Sequence, residues 1–314
     1  MSRWNQLVDA LSTREIGTSL ALFRILIGLV VVCELVLLQS SGALGVVFAG
    51  GPWTATSDNG LVILLGGPSL QLVHGLVVLT FFTSAMIVVG AWTRVAAALC
   101  WATMTALFSV AHGGGSYDAL LTIALLLLVV SRSDATLSIA CRRRTGTWTS
   151  SELVPAWPRY VAIYQLALLY TTSAMAKLGA EWLPAGDFAA VFNALLSPAF
   201  ARSEWTFLGW LYPLTQVGTA VSWLWEFTWF AVPLALLFSR PVVRNVYVGI
   251  GILMHLTLWV LLNLGPFSPL VLSFYVLLYR PAEWRALVPA SIAYDAATAK
   301  AALPRQAVER HSTA

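Results

Sequence analysis

Tyr160-VAIYQLALLYTTSAMA-Lys177 runs almost without interruption through apolar side chains and ends on an amine. Its length approaches the ~20 residues an α-helix needs to cross a ~30 Å hydrocarbon core. Glu181 and Trp182 follow one turn on. An amine placed there has two readings. It is an interfacial anchor whose head reaches back to water along its aliphatic stem, or it is a base withdrawn from water, where an amine parts with its proton more readily. Lysine is otherwise confined to Lys300.

The rest of the chain places this run in a membrane. Of the 314 residues 59% are hydrophobic and 10% charged, against about 45–50% and about 25% in soluble domains. Mean hydropathy is +0.79. The expected fold is therefore an all-α, polytopic membrane helix bundle of about eight transmembrane helices. Its apolar segments are residues 17–39, 69–91, 94–111, 117–131, 159–177, 216–238, 245–263 and 267–280. The fourth and eighth are short, so they either thin the bilayer locally or pack inside the bundle. A half-inserted hairpin with the seventh is the alternative for the eighth. Residues 1–16 are polar and the apolar run after them is too long for an h-region, so no signal peptide is expected. Cys33, Cys100 and Cys141 show no metal or redox spacing, which implies neither a disulfide framework nor a zinc site.

Charge placement sets the orientation. With the N-terminus inside, all 18 Lys and Arg residues except Arg24, Lys177 and Arg202 fall in inner connections. That asymmetry predicts cytoplasmic N- and C-termini in a multi-pass protein of the cell (inner) membrane. The net charge of +4 then reflects loops facing anionic membrane lipid, and no nucleic acid partner is implied. An Arg- and Ser-rich inner loop at 132–158 divides the chain into two halves of similar helix content. Residues 281–314 read as a cytoplasmic tail, a frayed or poorly ordered helix. Two outer loops exceed simple connectors: 41–68, with a short apolar stretch from Leu61, and 178–215, with Trp182, Trp205, Trp210 and Tyr212. Both suit interface-lying pieces that cap the bundle, and long loops of this kind tend to bind ligands.

An ionisable side chain at the bilayer centre costs roughly 2.5–3.5 kcal/mol on insertion scales, so each one asks for a partner or a purpose. At ~1.5 Å per residue, Glu226 and His255 fall near mid-membrane. Glu34, His74, His112, Asp118 and Lys177 fall in the outer third, and Arg24 in the inner half. Groups from both halves thus converge on an outward-facing polar cavity, and an amine, carboxylates and imidazoles held together suit proton abstraction. Simpler readings stand beside this one. Glu226, in Trp223-LWEFTW, also suits an ion pair with Arg24. His74 and His255 suit interhelical hydrogen bonds, and Asp118 a helix-start residue favoured by the dipole.

Tyr164-QLALLYTTSAMAKLGAEWLPAGD resembles the Tyr…Lys-Leu…Trp…Gly signature of the HTTM family, the vitamin K-dependent γ-carboxylase-like membrane domain. Leu22-FRILIGLVVV, Gly90-AWTR, His112-GGGSYDALL, His255 and Tyr279-RP agree, so the resemblance covers roughly residues 17–281. It implies an HTTM-like transmembrane domain over 1–280. It also implies Lys177 as the base that deprotonates a reduced naphthoquinone (vitamin K or menaquinol), with His112 and Asp118 as further catalytic candidates. Glu34, His74, Tyr170, Trp182, Glu226 and His255 would line the cavity, and no metal is called for. γ-Carboxylases present glutamates from a large extramembrane domain after the helices, whereas here residues 281–314 follow. A glutamate-bearing substrate is therefore expected from a secreted peptide or a partner that presents it. Short family members resemble the sporulation-delaying protein B type, for which the alternative is a non-enzymatic role in maturing or exporting a secreted peptide.

Overall fold

The structure, a computed structural model, describes residues 8, 12–42, 44, 58–110, 115–203, 206–231 and 240–287. Apolar runs become helices because a helix satisfies its backbone N–H and C=O groups within its own segment, as hydrocarbon demands. The fold is 76% helical, with 12 α-helices among the described residues. β1 (Arg14–Ile16) leads into α1 (Thr18–Ser40), and the short α2 (Gly60–Leu64) precedes α3 (Leu70–Val89), α4 (Thr93–Val110) and α5 (Ser116–Val130). α6 (Ile139–Thr145) and β2 (Leu153–Pro155) occupy the connection to α7 (Trp157–Ala176). After these come α8 (Ala190–Leu196), α9 (Tyr212–Ala231), α10 (Pro241–Leu261), α11 (Phe267–Tyr275) and α12 (Pro281–Leu287).

All the expected apolar segments are helical where described, but they are not alike. α1, α3, α4 and α10 are long and apolar enough to cross a membrane by themselves. α7 and α9 match them in length but carry Arg159, Glu226 and several Tyr, Trp and Thr side chains. α5 and α11 are short, and both pack inside the bundle: Leu121, Leu125 and Leu128 of α5 and Leu270, Val271 and Phe274 of α11 are fully buried. The final residues of the sixth segment, 232–238, lie outside the described residues, as do 288–314 of the tail. Residues 281–287 of that tail form α12, which the indole of Trp284 ties to the Val276 carbonyl at 2.7 Å.

α1, α3, α4 and α5 pack in series. α7 packs on α9 and α10 on α11, while α11 also meets α1, α5 and α7, joining the two groups. Phe23 and Phe274 meet edge to face at 4.9 Å across the α1–α11 contact, and Thr80 donates to Thr103 at 2.7 Å between α3 and α4. One end of the bundle is closed by arginines. Arg159 grips Glu15 at 2.7 and 2.8 Å and the Leu277 carbonyl at 3.0 Å. Arg244 holds Glu283 at 3.0 and 2.6 Å. At that same end β1 and β2 pair antiparallel, Arg14 opposite Pro155 and Ile16 opposite Leu153. This ladder departs from the all-α expectation, because three residues per strand are too few to show alternation.

Arg24, fully buried, belongs to this arginine end too. Its guanidinium donates to the Ile87 carbonyl at 3.1 Å and the Leu137 carbonyl at 2.6 Å. Gly90 ends α3 with φ +69°, and a Cβ there would strike the same guanidinium. At the other end, loop 178–215 is no single amphipathic stretch: 3₁₀ turns at Ala180–Trp182, Pro184–Gly186 and Thr206–Leu211 alternate with α8. Leu64 of α2 is 81% exposed, in keeping with an interface-lying piece.

Candidate functional site

α7 ends at Ala176, and Lys177 caps it by donating its backbone N–H to the Ala174 carbonyl at 3.2 Å. The chain then turns through Ala180–Trp182, which lays the Trp182 ring 4.7 Å beneath the amine. Because α9 packs along α7, Glu226 faces Lys177. Nζ donates to Oε1 at 2.6 Å and to Oε2 at 2.7 Å. The lysine side chain keeps 23% exposure while the glutamate keeps 5%. An interfacial anchor would direct its head outward, but this amine is held inward by a carboxylate and an aromatic face. The expected alternative, an Arg24–Glu226 pair, is overturned: Arg24 is engaged by carbonyls at the opposite end of the bundle. Residue-by-residue depth also set Lys177 apart from Glu226. They meet because α7 stops there and the long lysine stem covers the remaining distance.

Below the pair lies a buried chain of hydroxyls and an imidazole. Tyr170 stands two turns before Lys177 on the same face of α7. Its hydroxyl is 2.5 Å from the Tyr275 hydroxyl of α11 and 2.8 Å from His255 Nε2 of α10. His255 Nδ1 approaches Ser268 Oγ at 3.4 Å. Gly251, one turn before His255, makes room for Tyr275, whose ring a Cβ would strike. Glu226 lies within electrostatic reach of both tyrosines, and Lys177 of His255. Trp225 and Trp229 of α9 enclose the Tyr170 ring at 4.7 and 5.1 Å. Their indole nitrogens are buried without a hydrogen-bond partner. The geometry sets an amine and a carboxylate at a distance across which a proton can move.

Of the other expected site residues, Glu34 has Tyr117 and Asp118 as neighbours, yet its Oε2 and the Tyr117 hydroxyl each lack an aligned hydrogen-bond partner. Asp118 accepts the Gly115 amide at 3.2 Å, the helix-start role. Among the described residues no hydrogen bond or ion pair joins this group to Lys177–Glu226, so the polar residues form two groups. His74 is exposed on α3 and joins neither, and His112 lies outside the described residues. Tyr275, Ser268, Trp225 and Trp229 were not among the expected residues. A buried tyrosine or tryptophan in an apolar helix needs a partner for its polar end, a signal that Tyr275, Trp225 and Trp229 carried and Ser268 did not.

Fold and site together define a multi-pass helical membrane protein with a lysine–glutamate pair at one end and a buried Tyr–Tyr–His chain beneath it. Residues 14–284 match the HTTM domain, and the chain belongs to the HTTM family. No curated protein and no solved structure matches it.

Proposed function

We propose that this protein abstracts a proton from a hydroxyl of a lipid-soluble substrate, with Lys177 as the base and a reduced naphthoquinone as the substrate class. The observation that carries the reading is the two-pronged bond between Lys177 and Glu226. One proton shifts along the Nζ–H···Oε bond to Glu226, which frees the Nζ lone pair to accept the hydroxyl proton as a general base. The resulting ammonium then stabilises the oxyanion, as a preorganised charge does in a water-poor site. His255, Tyr170 and Tyr275, hydrogen-bonded to one another within electrostatic reach of the pair, offer a route for protons between the pair and the bundle interior.

The residues suit such a group chemically. The unpartnered indole donors of Trp225 and Trp229 suit oxygen acceptors, and Trp182 lays an aromatic face against the amine. When bound, the quinol supplies the reducing equivalents for chemistry with oxygen. The site faces the side opposite the arginine end, which the charge asymmetry predicts to be the non-cytoplasmic side, and a peptide presented there would receive the base strength so generated.

Quinol oxidation by the purified protein in nanodiscs tests this reading, with menaquinol or vitamin K hydroquinone, oxygen, and epoxide measured by mass spectrometry. Wild type is expected to form epoxide, and Lys177→Met and Glu226→Gln to lose at least about 10²-fold of the rate, the scale of general base catalysis. Equal epoxide from folded Lys177→Met would overturn it.

A further inference from the structure

A second cavity, of about 730 Å³, opens where the ends of α1 and α10 meet the 197–203 strap. It is independent of the lysine pair. Glu34 lines it from α1, Arg202 from the strap, and Asn263 and Trp259 from α10 and the turn after it. Most of its wall is apolar. Leu37 and Val260 contribute there and are 43% and 62% exposed, so the wall continues onto the surface that faces lipid.

Its charged groups, Glu34 and Arg202, are opposite in sign and not paired with each other. No ion pair joins Glu34 to Arg202 among the described residues. Glu34 Oε2 is buried without an aligned donor, the Tyr117 hydroxyl lying beside it, and the nearby Asp118 adds negative potential on that side. Arg202 gives one terminal nitrogen to the Leu262 carbonyl at 3.2 Å, and this bond fixes the guanidinium at the rim. A buried carboxylate oxygen without a donor is costly, and a bridge β-contact between Ala201 and Leu262 holds the cation in place without bringing it to the anion. The cavity therefore offers an acceptor at its floor, a cation and an amide at its mouth, and apolar walls open to the bilayer.

We propose that this cavity binds the head group of a zwitterionic aminophospholipid. Its primary ammonium donates to Glu34, its phosphate accepts from Arg202 and Asn263, and its acyl chains run along Leu37 and Val260 into the bilayer. Charge complementarity selects this occupant. An anionic lipid would offer Glu34 no cation and set like charges together, and a trimethylammonium head has no N–H to give. A lone cation would leave Arg202 unanswered.

Native mass spectrometry of the full chain in detergent, titrated with phosphatidylethanolamine, phosphatidylcholine or phosphatidylglycerol of the same acyl chains, reads the preference. Wild type is expected to retain phosphatidylethanolamine about tenfold better than the other two, the scale of a charged hydrogen bond. Glu34→Gln should erase the advantage over phosphatidylcholine, and Arg202→Gln should weaken both zwitterions together. Leu37→Trp, which fills the cavity from an exposed position, should remove the retained lipid without touching either charge. Equal retention of all three lipids by wild type would show annular lipid only and overturn the proposal, as would an unchanged preference in both Glu34→Gln and Leu37→Trp. The readout is independent of quinol turnover, so either conclusion can fail without the other.

Discussion

Lys177 and Glu226 show how a membrane chain tolerates two charges at once. Each charge alone would be costly in the bundle, and together they neutralise each other with near-ideal hydrogen-bond lengths. Removing one partner leaves the other uncompensated, which in buried pairs costs on the order of 3–5 kcal/mol, whereas removing both is far milder. Lys177→Met is therefore expected to lower thermal stability, and Lys177→Met with Glu226→Gln to recover most of the loss while remaining inactive. A double-mutant cycle by thermal unfolding in nanodiscs measures the coupling. Additive single losses, with no recovery in the double variant, would mean that the pair is not formed. Both residues stood out in the sequence as misplaced charges, His255 stood out as a mid-membrane imidazole, and Tyr170 was expected only as a cavity-lining residue. Their pairing did not, because 49 residues separate Lys177 from Glu226 and helix depth says nothing of where a side chain reaches. Tyr275 was overlooked for a related reason: in an apolar run a tyrosine reads as one more aromatic residue until its hydroxyl is seen to meet another.

Among the elements, α12 and α10 are joined by a polar clamp at the arginine end. Arg244, 3% exposed, grips Glu283, which is 41% exposed, and the Arg280 amide donates to the same carboxylate at 2.7 Å. Partial burial pushes the Glu283 carboxyl up, but the hydrogen bonds and charges of Arg244 and Arg280 outweigh it and hold the group below its ordinary range. A folded value below the unfolded one, near 4.3 for glutamate, stabilises the fold above the unfolded value and ceases to do so as pH falls through the folded one. Thermal stability should accordingly decline below about pH 4.5, and Glu283→Gln should be less stable at neutral pH yet lose part of that acid dependence. An acid limb identical in the variant, measured by thermal unfolding from neutral to acidic pH, would argue that the clamp contributes nothing. The helices themselves were legible, since long apolar runs in a charged-poor chain allow little else. The β1–β2 ladder and the broken 178–215 strap were not, being made of pieces too short to carry a period.

At the scale of the whole molecule, the two ends of the bundle differ in kind. Arg14, Arg24, Arg159, Arg244 and Arg285 all make hydrogen bonds or ion pairs at one end, whereas the other carries the lysine pair, Trp182 and the cavity lined by Glu34 and Arg202. Basic residues in short connections are retained in the cytoplasm, so charge placement predicts the arginine end inward and Lys177 outward. The side matters to the function proposed, because a base on the outer face could act on an exported peptide, and one on the inner face could not. Single cysteines in a background with Cys33, Cys100 and Cys141 replaced by alanine test the assignment directly. Asp187→Cys, in the exposed turn after Lys177, should react with a membrane-impermeant maleimide on intact cells. Arg143→Cys, exposed on α6, should react only after the membrane is permeabilised. The reverse pattern would invert the bundle, move the Lys177 site to the cytoplasm, and require that any peptide substrate reach it before export; labelling of both on intact cells would deny a fixed orientation and with it the one-sided site.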